Sequence, residues 1–174
     1  LSGYHPPGKR SVMTYFEKFG HAASVILVHN TFSRQEDLDF IQAHKNKDQL
    51  VSFCLCPNAN VYIENTLPDV ELFLKSGCHI VLGTDSLASN HQLSILEEIK
   101  TIREKYPRIS TASLLQWATL NGARALQVDA QKGSFTKGKK PGILWISETR
   151  GQEITPRSRV TPLVRAAGTS VQDL

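Results

Sequence analysis

Cys78–Asn90 reads CHIVLGTDSLASN. Its apolar, β-branched opening, Ile80-Val81-Leu82, has the pattern of a strand buried on both faces. The run stops at Gly83-Thr84-Asp85, and Ser86, Ser89 and Asn90 follow before a helical pattern begins. A carboxylate just past the C-terminal end of a buried strand stands where α/β proteins place their chemistry. Asp and Ser are also favoured as helix caps and turn formers. On the local sequence, both readings of Asp85 stand.

Two more apolar runs end in polar residues. Ala22–Val28 (AASVILV) ends at His29-Asn30, and Leu50–Leu55 (LVSFCL) ends at Cys56-Pro57-Asn58-Ala59-Asn60. Pro57 has no N–H and closes a strand ladder, which predicts a loop over Asn58–Asn65. Helical patterns separate the runs. Ser11 is a candidate N-cap for a helix over Val12–Phe19, with Gly20 as its stop. Gln35–His44 carries Leu38 and Ile41 on one face. Pro68 suits the first turn of a helix whose stripe is Val70, Phe73 and Leu74 and whose end is Gly77. Gln92–Lys105 repeats Leu93, Leu96, Ile99 and Ile102, with Glu97, Glu98, Lys100 and Arg103 as its polar residues. Ser110 or Thr111 caps a last helix running through Leu114, Leu115, Ala118, Gly122 and Leu126.

Strands alternating with helices from Val12 to Leu126 predict an α/β fold with a parallel sheet. In such a sheet all strands point one way, so His29, the Cys56–Asn60 segment and Asp85 emerge on one edge. From Gly133 the pattern changes. GSFTKGKKPGILWI reads as a glycine-rich hairpin with a short strand at Ile143–Ile146, and Glu153–Val164 holds another extended piece. Residues 166–174 read as a frayed tail.

The totals exclude several classes. The 174 residues suffice for one domain with a sizeable core. The net charge of +4 is modest, and the Lys132–Lys140 cluster lies among glycines. It reads as a solvated turn rather than the basic, aromatic-studded face of a nucleic-acid binder. No apolar run approaches the roughly 20 residues of a membrane helix, and the N-terminus lacks a signal-peptide pattern. Neither nucleic acid nor membrane is expected as a partner, and a cytoplasmic location is expected. Three cysteines, an odd number, argue for reduced thiols. Cys54-Leu55-Cys56 is not the C-x-x-C of a zinc site. The chain opens on Leu1 rather than Met and is read as a processed chain or a piece of a longer protein.

His29 and Asp85 are good ligands for zinc or iron, and an Asp beside a metal also carries protons. Two candidates are fewer than the three or four ligands that metals usually take from protein. The remaining histidines, His5, His21, His44, His79 and His91, read as surface or structural.

The run VLGTDSLASN, the CPNAN segment before it and the earlier strand ending in VHN together resemble the C-terminal half of the amidohydrolase superfamily. The nearest branch is the cytosine deaminase, guanine deaminase and chlorohydrolase group. WATLNGARAL followed by GSFTKGKKPGILWI resembles that group's last helix and its return to a β-sandwich. The likeness spans about Val12 to Val164, and the order and spacing of the pieces carry it. It implies strands six to eight of a TIM barrel over residues 1–130, a return segment of the sandwich over 131–165 and a tail over 166–174. It also implies a divalent metal, zinc or iron, in a full-length parent, and it does not require this piece alone to hold one. Asp85 matches the strand-eight Asp that ligates the metal and shuttles protons. His29 matches the strand-six His, which contacts the bound water or substrate in mononuclear members and is a ligand in binuclear ones. Asn60, Ser89 and Asn90 match positions implied to bind substrate. The implied partners are a small-molecule substrate and the N-terminal half of the same protein, with a homo-oligomer left open.

Three departures matter. The family's His-x-His of strand one is absent, as is the strand-five His followed three residues later by Glu. Leu55 stands where the family often carries a His. The expectation is therefore a fragment of a hydrolase acting on C–N bonds, which deaminates a purine, pyrimidine or related ring and is inactive in isolation. The alternatives are a non-catalytic binding or scaffold protein on the same fold, and an unrelated doubly wound domain.

Overall fold

A computed structural model describes residues 8–165. The start of the expected N-terminal loop, with His5, and the expected tail at 166–174 lie outside the described residues. Helix α1 (Ser11–Tyr15) passes into a 3₁₀ turn at Phe16–Phe19 and stops at Gly20. Arg10 rather than Ser11 takes the cap position. The three apolar runs form β1 (Ser24–Val28), β2 (Leu50–Leu55) and β3 (His79–Leu82). They pair in parallel, in the order β1-β2-β3. Parallel neighbours in sequence order fit a stretch of barrel wall, and no switch in strand order occurs among them.

Helix α2 (Gln35–His44) links β1 to β2. Helices α3 (Pro57–Glu64) and α4 (Val70–Lys75) link β2 to β3. The loop expected over Asn58–Asn65 is therefore a helix. Pro57 ends the ladder as expected, but it also sits at the first helical position, where its missing N–H costs nothing. Asn65 closes α3 in the left-handed conformation, with φ 51°. Pro68 precedes α4 instead of opening it. Asp69 is the N-cap, its carboxylate accepting from Leu72 N at 3.0 Å.

After β3 come α5 (Ile95–Lys105) and α6 (Thr111–Gln116), the latter capped by Ser110. The single last helix expected from the sequence is interrupted. A π-helical turn at Trp117–Asn121 separates α6 from α7 (Gly122–Ala125). The wider turn buries Trp117 and lets Asn121 Nδ2 donate to Ile80 O at 2.8 Å, tying the segment to β3. Strands β4 (Ile143–Ser147) and β5 (Arg159–Val164) pair antiparallel. Gly133–Lys140 is turns rather than one arm of a hairpin, so β4 finds its partner downstream.

Side chains alternate across the parallel sheet. Val25, Val51, Phe53, Leu55 and Ile80 join Leu38, Ile41, Phe73, Ile99 and Ile102 in one core. Phe73 has no exposed surface, and burial of such a side chain contributes about 1.5–3 kcal/mol. The opposite face differs along the sheet. Ser52 and Val81 are covered, but Ile26 and Val28 remain 37% and 51% exposed. The burial on both faces read from the apolar runs thus holds for β2 and β3 and fails for β1. Ile154, between β4 and β5, is buried in the same core as the helices. Its neighbour Glu153 accepts from Thr111 Oγ1 at 2.7 Å.

Candidate active site

The strand ladder places the candidate residues. His29 N donates to Cys54 O at 2.9 Å, and Gly83 N donates to Leu55 O at 2.9 Å. Both bonds continue the parallel pairing to the C-terminal ends of β1 and β3. Immediately beyond, the backbone turns sharply. His29, Asn30 and Asp85 adopt left-handed φ values of 69°, 59° and 56°. Asn and Asp tolerate this region better than most side chains, and such residues gather where a site dictates the backbone. The turns aim His29 and Asp85 at each other. His29 Nε2 lies 3.8 Å from Asp85 Oδ2, with the side chains 36% and 31% exposed. This is too long for a direct hydrogen bond, and the two groups face a common, open space.

Each member is held from behind. Ser89 Oγ donates to Asp85 Oδ2 at 2.6 Å. This bond, assisted by Ser86 N–H and the nearby imidazole, holds the Asp85 carboxyl below its ordinary pKa. On the other side, Asn60 Nδ2 lies 3.4 Å from His29 Nδ1 and donates to Thr31 Oγ1 at 2.6 Å. An amide nitrogen only donates, so this contact is a hydrogen bond in the tautomer with a lone pair on Nδ1 and the ring proton on Nε2. Asn60 is almost fully buried. Asn90 Nδ2 donates to Thr84 O at 2.8 Å and to Glu98 Oε1 at 2.7 Å. The polar groups of Ser89 and Asn90 are thus engaged by the protein itself, whereas Asn60 uses only Nδ2 and leaves its buried Oδ1 without a partner.

Glu98, placed on the polar side by its sequence, has no exposed surface. Asn58 N donates to its Oε2 at 2.8 Å, and Asn58 Nδ2 to its Oε1 at 3.1 Å. One signal was available in the sequence. Glu98 stands four residues before Ile102 and so shares that helix face. Burial raises the Glu98 pKa above its ordinary value, Glu97 adds a smaller push, and the amide donors of Asn58 and Asn90 oppose the shift. A raised carboxyl pKa means that folding disfavours the ionised form. That penalty is absent below the ordinary pKa and complete above the raised one. The stability of the wild type relative to Glu98→Gln should therefore fall as pH rises from 4.5. Urea unfolding of both proteins across that range measures it, and parallel stability curves would refute it.

Leu55 is fully buried in the helix-side core. The sulfurs of Cys54 and Cys56 flank Gly83, and all three cysteines are free. The hydrogen bond with Cys54, and then burial, raise the Cys56 pKa far above the ordinary thiol value. His79 bonds Ser52 Oγ through Nδ1 at 2.9 Å within the sheet, while His21, His44 and His91 are exposed. Among the described residues, no group of three or more His, Cys, Asp or Glu converges on one point. The ionised, hydrogen-bonded carboxylate of Asp85 has the donor chemistry of a divalent-metal ligand. The chain therefore fits part of a metal site.

Comparison with known proteins agrees with this geometry. A family described as "Amidohydrolase family" matches residues 7–163. A probable guanine deaminase of Deinococcus radiodurans is 30% identical over 85% of this chain and 34% of its own length. A 5-methylthioadenosine/S-adenosylhomocysteine deaminase of Caldanaerobacter subterraneus subsp. tengcongensis is 29% identical over 79% of this chain and 35% of its own. An adenosine deaminase from Xanthomonas campestris, solved with bound zinc, superposes with a TM-score of 0.59 at 25% identity. It covers 70% of this chain and 28% of that one. The chain thus spans about a third of the length of the curated relatives it matches.

Proposed function

The chain belongs to the amidohydrolase family, in its deaminase-like branch, and from that premise we propose that it forms strands six to eight of a metal-dependent barrel hydrolase. That hydrolase removes an amino group from a purine, pyrimidine or related ring. The convergence of His29 and Asp85 at 3.8 Å carries the proposal. The exposed β-branched side chains of Ile26 and Val28 support it, since a barrel would cover that face. The remaining ligands would, on this reading, come from strands one and five. On this reading residues 1–130 are barrel wall and 131–165 the return segment of a second, β-rich unit.

Each residue of the chain has a task. Asp85 would hold the metal, and its carboxylate would take the proton released by the attacking water. A divalent ion bound there supplies a water whose pKa is lowered towards about 7. Ser89 Oγ–H fixes the Asp85 carboxylate and keeps it ionised. His29 presents Nε2–H to the reacting carbon's substituent, while Asn60 holds its Nδ1. His29, the second candidate ligand, is thereby assigned as a hydrogen-bond donor. Proton transfer by positioned groups such as these contributes roughly 10²–10⁴-fold to rate.

The test compares the 174-residue chain with the assembled enzyme, in which it is joined to the missing strands. Ammonia release from aminopurines and aminopyrimidines is measured with and without chelator, along with metal content. The assembled enzyme should turn over, lose activity on chelation and regain it with zinc or iron. The chain alone should be inactive. Turnover by the purified chain would overturn the incomplete-site reading. An assembled protein with neither metal nor turnover would leave the scaffold reading in its place.

A further inference from the structure

The segments that follow β2 and β3 share one buried anchor. Glu98 Oε1 accepts from Asn90 Nδ2 at 2.7 Å and from Asn58 Nδ2 at 3.1 Å, while Oε2 accepts from Asn58 N at 2.8 Å. Asn90 passes the restraint to Thr84 O, the carbonyl directly before Asp85. Asn58 lies two residues before Asn60, which touches His29. Thr101 Oγ1, from the same helix as Glu98, donates to Asn58 Oδ1 at 2.5 Å and fixes the orientation of that amide. The exits of β2 and β3 are therefore joined through a single carboxylate on α5, and the contact of Asn60 with His29 extends the link to the exit of β1.

A buried carboxylate is a costly choice for a helix face. Among the described residues Glu98 forms no salt bridge, and its partners are amides. An apolar side chain of similar volume would pack there without that cost, but it could not accept hydrogen bonds from both loops. We propose that Glu98 is a positioning residue that sets the separation of His29 and Asp85 by binding the Asn58 and Asn90 segments to α5. This inference rests on the reading of His29 and Asp85 as the reacting pair. It adds a residue that touches neither metal nor substrate.

The test uses Glu98→Gln, which keeps the shape but turns one acceptor into a donor facing other donors. Ile102→Ala is the comparison, an equally buried truncation on the same helix. In the assembled enzyme Glu98→Gln should lower kcat and metal retention by about 10- to 100-fold, with KM little changed. Amide exchange should rise together at residues 58–60 and 84–90. Ile102→Ala should weaken global stability but leave the relative protection of those two segments and the kcat of the folded enzyme unchanged. If Glu98→Gln fails to fold, Asn90→Ala serves instead, and it should free the 84–90 segment alone. Unchanged protection of either segment in Glu98→Gln would overturn the proposal. So would a loss of kcat in both variants that simply tracks stability. An inactive wild type would overturn the deaminase reading instead, and the exchange data would still decide whether Glu98 couples the loops.

Discussion

Asp85→Asn should abolish metal-dependent turnover, lowering kcat by roughly 10²–10⁴-fold, while leaving the fold almost untouched. The backbone argues for this clean separation. Asp85 sits at φ 56°, in the left-handed region. Asn is among the few side chains that occupy that region readily, so the substitution adds little strain. Ser89 Oγ–H keeps an acceptor, because the amide oxygen can take the place of Oδ2. What disappears is the negative charge, and with it both the metal ligand and the proton acceptor. With the side chain 31% exposed, unfolding stability should change by no more than about 0.5 kcal/mol. Steady-state kinetics, metal analysis and urea unfolding on the same preparation test all three parts. Retention of metal and of most of kcat would remove Asp85 from the centre of the site.

Much of this arrangement is legible in the sequence, and the rest is hidden for identifiable reasons. The strands announce themselves as short β-branched runs ended by Gly, Pro or His, and Leu50–Leu55 has the bounds its residues suggest. The common edge of His29 and Asp85 follows from parallel topology alone. The segment after Pro57 misleads because asparagines there suggest a loop. Their partners settle the matter, and those lie far along the chain: Glu98 is 40 residues from Asn58, and His29 is 31 from Asn60. Local propensity carries no trace of such bonds. Glu98 is obscured in the same way, because a Glu beside Glu97 in an amphipathic helix resembles a solvated charge until its donors are counted. The pairing of β4 with β5 is hidden by chain length. The glycines at 133–142 suggest a tight hairpin, but the partner strand begins only at Arg159.

Gly83→Ala should impair turnover strongly, and its remedy can be named in advance. Gly83 is the last residue held in the ladder before Asp85, through its bond to Leu55 O. A methyl group added there would lie 2.8 Å from Cys54 Sγ and 3.3 Å from Cys56 Sγ. Both sulfurs belong to the neighbouring strand's end and, two residues apart, point to the same side. Each sits on a short side chain with one rotatable bond, and Cys56 is almost fully buried. The sulfurs have little room to retreat, so the end of β3 must move outward, carrying Thr84 and Asp85 with it. Overpacking of this kind costs about 1–3 kcal/mol in stability. A displacement of about 1 Å at a reacting group can cost roughly 10²-fold in rate, so activity should suffer more than folding. Cys54→Ala removes the closer sulfur. Alone it should leave the kinetics near wild type, and combined with Gly83→Ala it should restore most of kcat, because only the 3.3 Å contact remains. A double variant as impaired as Gly83→Ala would show that the clash with Cys54 is not what displaces Asp85. A fully active Gly83→Ala would show that the β3 exit has slack, and that the separation of His29 and Asp85 is not held by close packing at Gly83.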